Sequence, residues 1–264
     1  MRSPQFLYIV TIKIYCCRPT MMAAVPLIIE RIYKSINTKV ENGGPFKTKL
    51  FNFCVQYKLK WNNRGMNTPL INKLIFSKVT GTVGGNLKFL LVGGAPLAPK
   101  SQEFVRTVLG VKLVQGYGLT ETVAVASISD PDDLRTGQVG PPLVGVDLKI
   151  ISWPEGGYTV HDVCGPRGEI VIGGYHVAKG YYNMEEKTAE DFYDCPEGYR
   201  WFRTGDVGHI LTDGSLKIVD RKKDLVKLQM GEYVSLGKGK TVSWYQCFSV
   251  RGANIKKKLL GIAP

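Results

Sequence analysis

The stretch Gln115–Thr122 gathers residue types that together can bind a nucleotide. Two glycines flank one aromatic residue, and a hydroxyl and a carboxylate follow them: Gly116, Tyr117, Gly118, Thr120 and Glu121. Because glycine has no Cβ, a ligand can approach the backbone closely. A tyrosine ring offers a flat face to a purine, a threonine hydroxyl can donate to a phosphate oxygen, and a glutamate is a hard oxygen ligand for Mg²⁺. The stretch therefore predicts a nucleotide site, and an ordinary glycine-rich turn is the alternative.

The positive charge of the chain is concentrated at one end. Of its 264 residues 44% are apolar, which is enough to bury a core, and the formal net charge is +13. Residues 1–88 hold 14 Lys/Arg against two Asp/Glu, whereas residues 89–264 hold 21 against 20. The basic first third predicts attraction to anionic lipid, with a solvated helical surface as the alternative. No RNA- or DNA-binding signature is present, so nucleic acid is not expected as a partner.

The six cysteines and three histidines form no recognisable metal or disulfide pattern. No C-x-x-C pair is present, and the histidines are not spaced as a metal-binding pair. We therefore expect a reducing, intracellular setting. No stretch reaches the roughly 20 apolar residues that a membrane-spanning helix needs.

The residues before this stretch predict three helices. Residues 19–26 open the first element, in which apolar residues recur at helical spacing up to Val40 and Pro26 occupies the first turn. Gly43 and Gly44 end it. Two further helices are expected over Phe46–Trp61 and Pro69–Val79.

A βαβ unit is predicted next. Leu87–Val92 and Val111–Gln115 are short apolar runs typical of buried strands, and Pro99–Leu109 between them favours a helix. This order predicts a parallel pair of strands. Two glycine turns, Gly93–Pro96 and Gly116–Gly118, then lie at the carboxyl ends of neighbouring strands, where ligands bind in open α/β sheets.

From Gly140 onwards the sequence predicts a small antiparallel β-unit. Short apolar runs alternate with Gly, Pro and Asp, and one short helix is expected at Glu185–Glu190. The expected strands are Asp147–Ile151, Glu169–Ile172, Trp201–Arg203 and Leu216–Val219.

Four motifs in this order resemble the adenylate-forming superfamily, and in particular long-chain fatty acid–CoA ligases. They are Gly116–Glu121, Gly168–Gly173 continuing through Val177–Tyr181, Arg203–Asp206, and Asp220–Lys227 continuing through Gly231–Lys238. The resemblance covers roughly residues 18–238. It implies an α/β fold: part of the large N-terminal domain, with a parallel βαβ portion and an antiparallel β-subdomain, and with most of the C-terminal domain absent.

The resemblance also implies the reaction. Such enzymes use ATP and Mg²⁺ to turn a long-chain fatty acid into an acyl-adenylate, and coenzyme A then displaces AMP to give acyl-CoA. Negative charge gathers on oxygen in both steps, so cations and oriented donors dominate catalysis. By resemblance the enzyme would lie at the cytosolic face of the endoplasmic reticulum or the mitochondrial outer membrane.

Site residues follow from the same resemblance. Gly94, Ala95 and Pro96 would line the adenine pocket together with Gly116, Gly118 and the stacked ring of Tyr117. Thr120 would contact the α-phosphate, Glu121 would hold Mg²⁺, and Asp206 would accept from both ribose hydroxyls. In the last motif, Arg221 would lie near the ribose and phosphate, Lys223 would be the hinge, and Lys227 would act in thioester formation. For the lysines, solvated charges in a Lys-rich loop are the alternative.

Two features of the family are missing from the sequence. Residues 1–114 hold no Ser/Thr/Gly-rich phosphate-gripping loop ending in Lys, and the chain ends shortly after the hinge motif. We therefore expect a partial chain that is weakly active or inactive alone, or a non-catalytic piece that docks on a membrane or partner through its basic third. The expected division is 1–17 foreign or unstructured, 18–138 helical and βαβ, 139–220 β-subdomain, 221–238 hinge and 239–264 divergent tail.

Overall fold

The structure is a computed structural model that describes residues 17–227, 233–235 and 240–241. Their first sheet has four strands in the order β1 (Met21–Ala24), β2 (Phe89–Val92), β3 (Lys112–Tyr117) and β4 (Ser127–Ile128). β1 and β3 pair in parallel with β2, and β4 pairs antiparallel with β3. The predicted parallel pair is therefore confirmed.

The strand β1 lies in residues 19–26, which were expected to open the first element, and it was not foreseen. Met21–Ala24 pairs with Phe89–Val92, whereas the helix begins at Pro26, which confirms the prediction that this proline occupies its first turn. The reason is nonlocal, because the hydrogen bonds of β1 come from a strand far along the chain. Proline fits the first helical turn, where its missing N–H costs nothing.

Helices occupy the stretch of chain between β1 and β2. α1 (Pro26–Glu41) and α2 (Pro45–Asn62) agree closely with the predicted helices. The third predicted helix is interrupted: α3 (Pro69–Ile71) and α4 (Ser77–Gly81) are joined by a π-helical turn, Asn72–Phe76.

The helix of the βαβ unit, α5 (Pro99–Leu109), has the bounds that were predicted. It ends at Gly110, whose φ of 66° is the left-handed conformation that favours glycine. The buried residues between α1, α5 and the sheet form one core cluster, which holds Ile29, Val83, Leu87, Leu90, Val92, Leu97, Val105, Leu109, Val111 and Leu113. This core fixes the carboxyl ends of β2 and β3.

The second sheet is antiparallel, as predicted, and has five strands. Its strands are β5 (Asp147–Ile151), β6 (Arg167–Gly174), β7 (Phe192–Asp194), β8 (Arg200–Ile210) and β9 (Leu216–Arg221). They pair in the order β5-β6-β8-β7, with β9 on the other part of β8. The short helix α6 (Glu185–Asp191) precedes β7. At 11 residues, β8 is much longer than the expected run because it pairs with three strands.

The two sheets meet beside the glycine-rich stretch. Tyr117 and Leu119 pack on a buried cluster that includes Ile170, Ile172 and Leu216 of the second sheet. This packing brings β6 and β9 next to the end of β3, and Asp206 of β8 contacts Tyr117 there.

The strands β10 (Leu225–Lys227), β11 (Tyr233–Ser235) and β12 (Lys240–Thr241) form a third, antiparallel sheet. Most of the expected tail, and residues 1–16, lie outside the described residues. The division into five segments stays a prediction. In the described part of the chain, no helix is long and apolar enough to cross a bilayer.

Candidate nucleotide-binding site

A cleft of about 1420 Å³ opens where the two sheets meet. Most of the predicted site residues line it: Gly94, Gly116, Tyr117, Gly118, Thr120, Glu121, Asp206, Arg221 and Lys223. Ala95 and Pro96 follow Gly94 in an exposed loop and are not among the lining residues. The cleft therefore brings together residues up to about 130 positions apart, although their ligand contacts stay predictions.

Three side chains that line the cleft form a hydrogen-bonded chain. The Tyr117 hydroxyl donates to Oδ2 of Asp206 at 2.8 Å, and Arg221 Nε lies 3.1 Å from Oδ1 of the same carboxylate. Asp206 is buried, with a side chain only 4% exposed, whereas Arg221 is 64% exposed. Both oxygens of the predicted ribose-binding carboxylate are thus partnered, and Asp206 borders the cleft.

Burial dominates the electrostatics of this chain. It raises the pKa of the Asp206 carboxyl, although hydrogen bonds from Tyr117 and the Arg221 charge oppose the shift. Burial and the neighbouring Asp206 charge raise the pKa of the Tyr117 phenol well above its usual value. Tyr117 therefore stays a hydrogen-bond donor throughout the physiological range.

A threonine that sequence reasoning left without a role sets the position of Asp206. The Thr204 hydroxyl donates to the Ile170 carbonyl at 2.8 Å and accepts from the Asp206 backbone N–H at 3.0 Å. Gly205 between them has a φ of 68°, which other residues rarely adopt. This turn directs the carboxylate of Asp206 into the cleft.

The loop after β3 needs its second glycine for steric reasons. A Cβ on Gly118 would lie 1.5 Å from the Ala124 carbonyl oxygen, which no side chain can accommodate. Thr122, another residue without a predicted role, ties the following 3₁₀ turn by accepting from the Leu119 N–H at 3.1 Å. The turn Thr120–Thr122 places Thr120 and Glu121 at the cleft.

Glu121 is held by a neighbouring segment, and this contact was not foreseen. The Tyr181 hydroxyl donates to Oε1 of Glu121 at 2.8 Å, and the Ala178 N–H donates to the Glu121 backbone carbonyl at 2.8 Å. Burial, followed by the Glu121 carboxylate, raises the pKa of the Tyr181 phenol. The motif Val177–Tyr181 signalled family membership in the sequence but gave no hint of this partner.

The carboxylate of Glu121 is suited to act as a ligand of Mg²⁺. Its Oε2 has no hydrogen-bond partner among the described residues, and Glu121 is one of the residues that line the cleft. The described residues contain no group of three or more His, Cys, Asp or Glu that could hold a metal ion alone. In proteins Mg²⁺ usually binds one or two carboxylates and completes its coordination with phosphate oxygens and water.

The lysines after β9 occupy different positions. Lys222 pairs with the buried Glu169 at 2.8 Å, a contact that sequence reasoning missed. Lys223 is exposed and lines the cleft. Lys227 ends β10, and its side chain lies outside the described part of the structure. The hinge and thioester roles of Lys223 and Lys227 stay predictions.

Comparison with known proteins identifies the family. Residues 13–182 match the family model described as AMP-binding enzyme, which is more than half of the chain. The chain belongs to the AMP-binding enzyme family. The chain is 48% identical to long chain acyl-CoA synthetase 8 of Arabidopsis thaliana over 227 residues, covering 84% of the chain and 32% of the synthetase.

A more distant relative and a solved structure support the same family assignment. The chain is 42% identical to fatty acyl-CoA synthetase A of Dictyostelium discoideum, covering 83% of the chain and 32% of that protein. Its fold matches the adenylation domain of a carboxylic acid reductase from Segniliparus rugosus, which was solved in complex with AMP and a co-purified carboxylic acid. The TM-score is 0.66 and the sequence identity is 28%. The match covers 90% of this protein and 32% of the reductase chain.

The predicted α/β fold of an adenylate-forming N-terminal domain is thereby confirmed. The chain spans about a third of the length of the curated relatives that it matches.

Proposed function

We propose that this chain binds the adenylate portion of ATP and takes part in the ATP-dependent activation of a long-chain fatty acid to acyl-CoA. The observation that carries the proposal is one cleft lined by Tyr117, Thr120, Glu121 and Asp206. Its support is the similarity to long-chain acyl-CoA synthetases and to an adenylation domain solved with AMP.

The proposed reaction has two steps, adenylate formation and thioester formation. A fatty-acid carboxylate oxygen attacks the α-phosphorus of ATP, the bond to the bridging oxygen breaks, and pyrophosphate leaves. The thiolate of coenzyme A then attacks the acyl carbon, and AMP leaves with the electron pair of the broken acyl–oxygen bond. Mg²⁺, when bound, would neutralise charge on the phosphate oxygens.

Within this scheme each side chain has a defined task. The ring of Tyr117 would stack on adenine, and Asp206 would accept from the ribose hydroxyls. Thr120 would donate to an α-phosphate oxygen, Arg221 would attract the phosphate, and Glu121 would supply one oxygen ligand to Mg²⁺. All of these groups except Asp206 already face solvent in part, so a nucleotide can reach them.

A nucleotide titration tests the proposal on the 264-residue chain. AMP at 100 times its Kd should stabilise the fold by about 2.7 kcal/mol, which corresponds to a melting-temperature rise of about 5–10 °C. Asp206→Ala should abolish the rise, whereas Asp132→Ala, which changes an exposed carboxylate, should retain it. If native and Asp206→Ala chains respond equally, Asp206 does not contact the nucleotide.

A second candidate function, docking on an anionic membrane surface, is favoured by α2. Between Glu41 and Glu103 the sequence has nine Lys/Arg and no Asp/Glu. On α2, apolar side chains three or four residues apart are exposed, with Phe46 at 78% and Phe53 at 65%. Aromatic rings flanked by lysines are typical of helices that lie in a lipid interface. The membrane location implied by the resemblance would follow from this surface.

Vesicle co-sedimentation tests this candidate. The chain should pellet with phosphatidylserine-containing vesicles at low salt, and much less with phosphatidylcholine alone or at high salt. Replacing Phe46 and Phe53 by Ser should weaken pelleting without changing the AMP response. Equal pelleting of both chains would mean that α2 does not contact lipid.

A further inference from the structure

Tyr181 is tied to Glu121 through both the side chain and the backbone of the segment that carries it. Its hydroxyl donates to Glu121 Oε1 at 2.8 Å, while the Ala178 N–H three residues earlier donates to the Glu121 carbonyl at 2.8 Å. One contact fixes the main chain of Glu121 and the other fixes its carboxylate. Two bonds from a single segment restrict both the position and the rotation of this side chain.

The segment is itself rigidly held. The Tyr181 N–H donates to the Thr188 hydroxyl at 2.9 Å, and that hydroxyl donates to the Met184 carbonyl at 2.8 Å. Gly180 permits this approach, because a Cβ there would lie 2.3 Å from the Thr188 methyl carbon. The Tyr181 ring packs edge-on against the buried Phe192, with ring centroids 5.4 Å apart. The backbone and the ring that carry the Tyr181 hydroxyl are therefore both held in place.

The charges around Tyr181 leave Glu121 as its main acceptor. Asp191 Oδ2 lies farther away, at 3.4 Å from the hydroxyl, and its other oxygen is paired with Lys187 Nζ at 2.9 Å. A hydroxyl has one proton, so the shorter contact takes it. No described Lys or Arg lies within 4 Å of the Glu121 carboxylate, so Tyr181 alone orients it through a side chain.

We propose that Tyr181 is a positioning residue for the cation that accompanies ATP. By holding Oε1 of Glu121, its hydroxyl directs Oε2 into the cleft, where a divalent cation and a phosphate would meet. This inference rests on the proposed function, because it needs a nucleotide in the cleft. It assigns a role that neither the sequence motif nor the family match supplies.

The experiment compares metal-free and metal-dependent nucleotide binding by thermal shift. Tyr181→Phe keeps the ring and removes only the donor, and Tyr182→Phe is the matched control because Tyr182 is 91% exposed. Mg²⁺ is titrated at fixed ATP, and AMP is titrated in EDTA. We expect Tyr181→Phe to raise the Mg²⁺ concentration at half-maximal shift about tenfold, because a hydrogen bond to a charged group is lost. Its AMP titration without metal should match the native one.

A double substitution sharpens the result. Glu121→Gln should itself raise the Mg²⁺ midpoint, and adding Tyr181→Phe to it should have no further effect if the two residues act together. An unchanged Mg²⁺ midpoint in Tyr181→Phe would refute the inference while AMP binding still supported the adenylate site. Equal weakening of AMP binding without metal would assign Tyr181 a purely structural role and also refute it. If no nucleotide stabilises the native chain, the proposed function fails, and this inference fails with it.

Discussion

Replacing Lys58 by methionine should stabilise the protein at neutral pH. This lysine lies on the inner face of α2 with only 3% of its surface exposed, and no described carboxylate lies within 4 Å of its amine. Burial lowers the pKa of the Lys58 amine from 10.5 to about 8. At pH 7 the amine is therefore charged inside the fold, and the fold carries the cost of that burial.

The size of the effect follows from the pKa difference. The difference between 10.5 and a folded pKa of about 8 for the Lys58 amine corresponds to about 3.4 kcal/mol, which is an upper limit for the free-energy cost of the buried charge at pH 7. Two features offset it: the amine lies 4.8 Å from the centre of the Phe76 ring, and it lies close to Gly110 at the carboxyl end of α5. A cation over a ring and a cation at a helix terminus contribute about 1–2 kcal/mol together. Lys58→Met should therefore raise the free energy of unfolding by about 1–2 kcal/mol.

The pH dependence identifies the cause. Because the folded pKa of Lys58 is lower than the unfolded one, the unfolded chain binds the extra proton between pH 8 and 10.5. The native protein therefore gains stability as pH rises through this window, at up to about 1.4 kcal/mol per unit, and Lys58→Met lacks this gain. The advantage of the methionine variant should shrink or reverse by pH 9.5.

Urea unfolding of both chains at pH 7, 8, 9 and 9.5 measures this difference. Lys60→Met is the control, since Lys60 lies exposed on the same helix, and its effect should stay within about 0.5 kcal/mol. A methionine variant that is less stable at pH 7, by an amount that does not change with pH, would refute the reasoning. The ring and the helix terminus would then outweigh the cost of burial.

Three further predictions concern the cleft. Gly118→Ala should destabilise the fold by more than about 2 kcal/mol and remove AMP binding, because its Cβ would collide with the Ala124 carbonyl, whereas Gly81→Ala, which meets nothing within 4 Å, should be near neutral in chemical denaturation. Tyr117→Phe leaves one oxygen of the buried Asp206 without its donor, so unfolding free energy should fall by about 1–3 kcal/mol, and an unchanged value would show that water replaces the hydroxyl. In a coupled AMP-release assay with palmitate, ATP and coenzyme A, the 264-residue chain alone should turn over weakly or not at all, because its sequence has no phosphate-gripping loop; robust turnover would contradict this.

Local sequence patterns predicted the helices and strands in which apolar residues recur regularly along the whole element. The apolar spacing and the proline and glycine boundaries predicted α1, α2 and α5 to within a few residues, and the run before Gly116 predicted β3. In these segments helical or strand periodicity and the tertiary packing agree, so each residue's local preference points to the observed state.

Long-range pairing explains what the sequence did not predict. Met21–Ala24 has too few residues for a periodic signal and becomes a strand only because β2 offers it hydrogen bonds. The contacts of Tyr181 with Glu121 and of Lys222 with Glu169 join residues 60 and 53 positions apart. No local pattern encodes such pairs, although both Tyr181 and Lys222 lie in motifs on which the resemblance to the family was based.

The bonded chain of Tyr117, Asp206 and Arg221 has a consequence for the energetics of ligand capture. Without a nucleotide, a phenol and a guanidinium already satisfy both oxygens of the Asp206 carboxylate. A ribose that binds Asp206 must displace these two donors, so the number of hydrogen bonds to the carboxylate changes little. Selectivity for the ribose would then depend on how well its two hydroxyls replace the displaced pair, and without this carboxylate both hydroxyls would lack their acceptor.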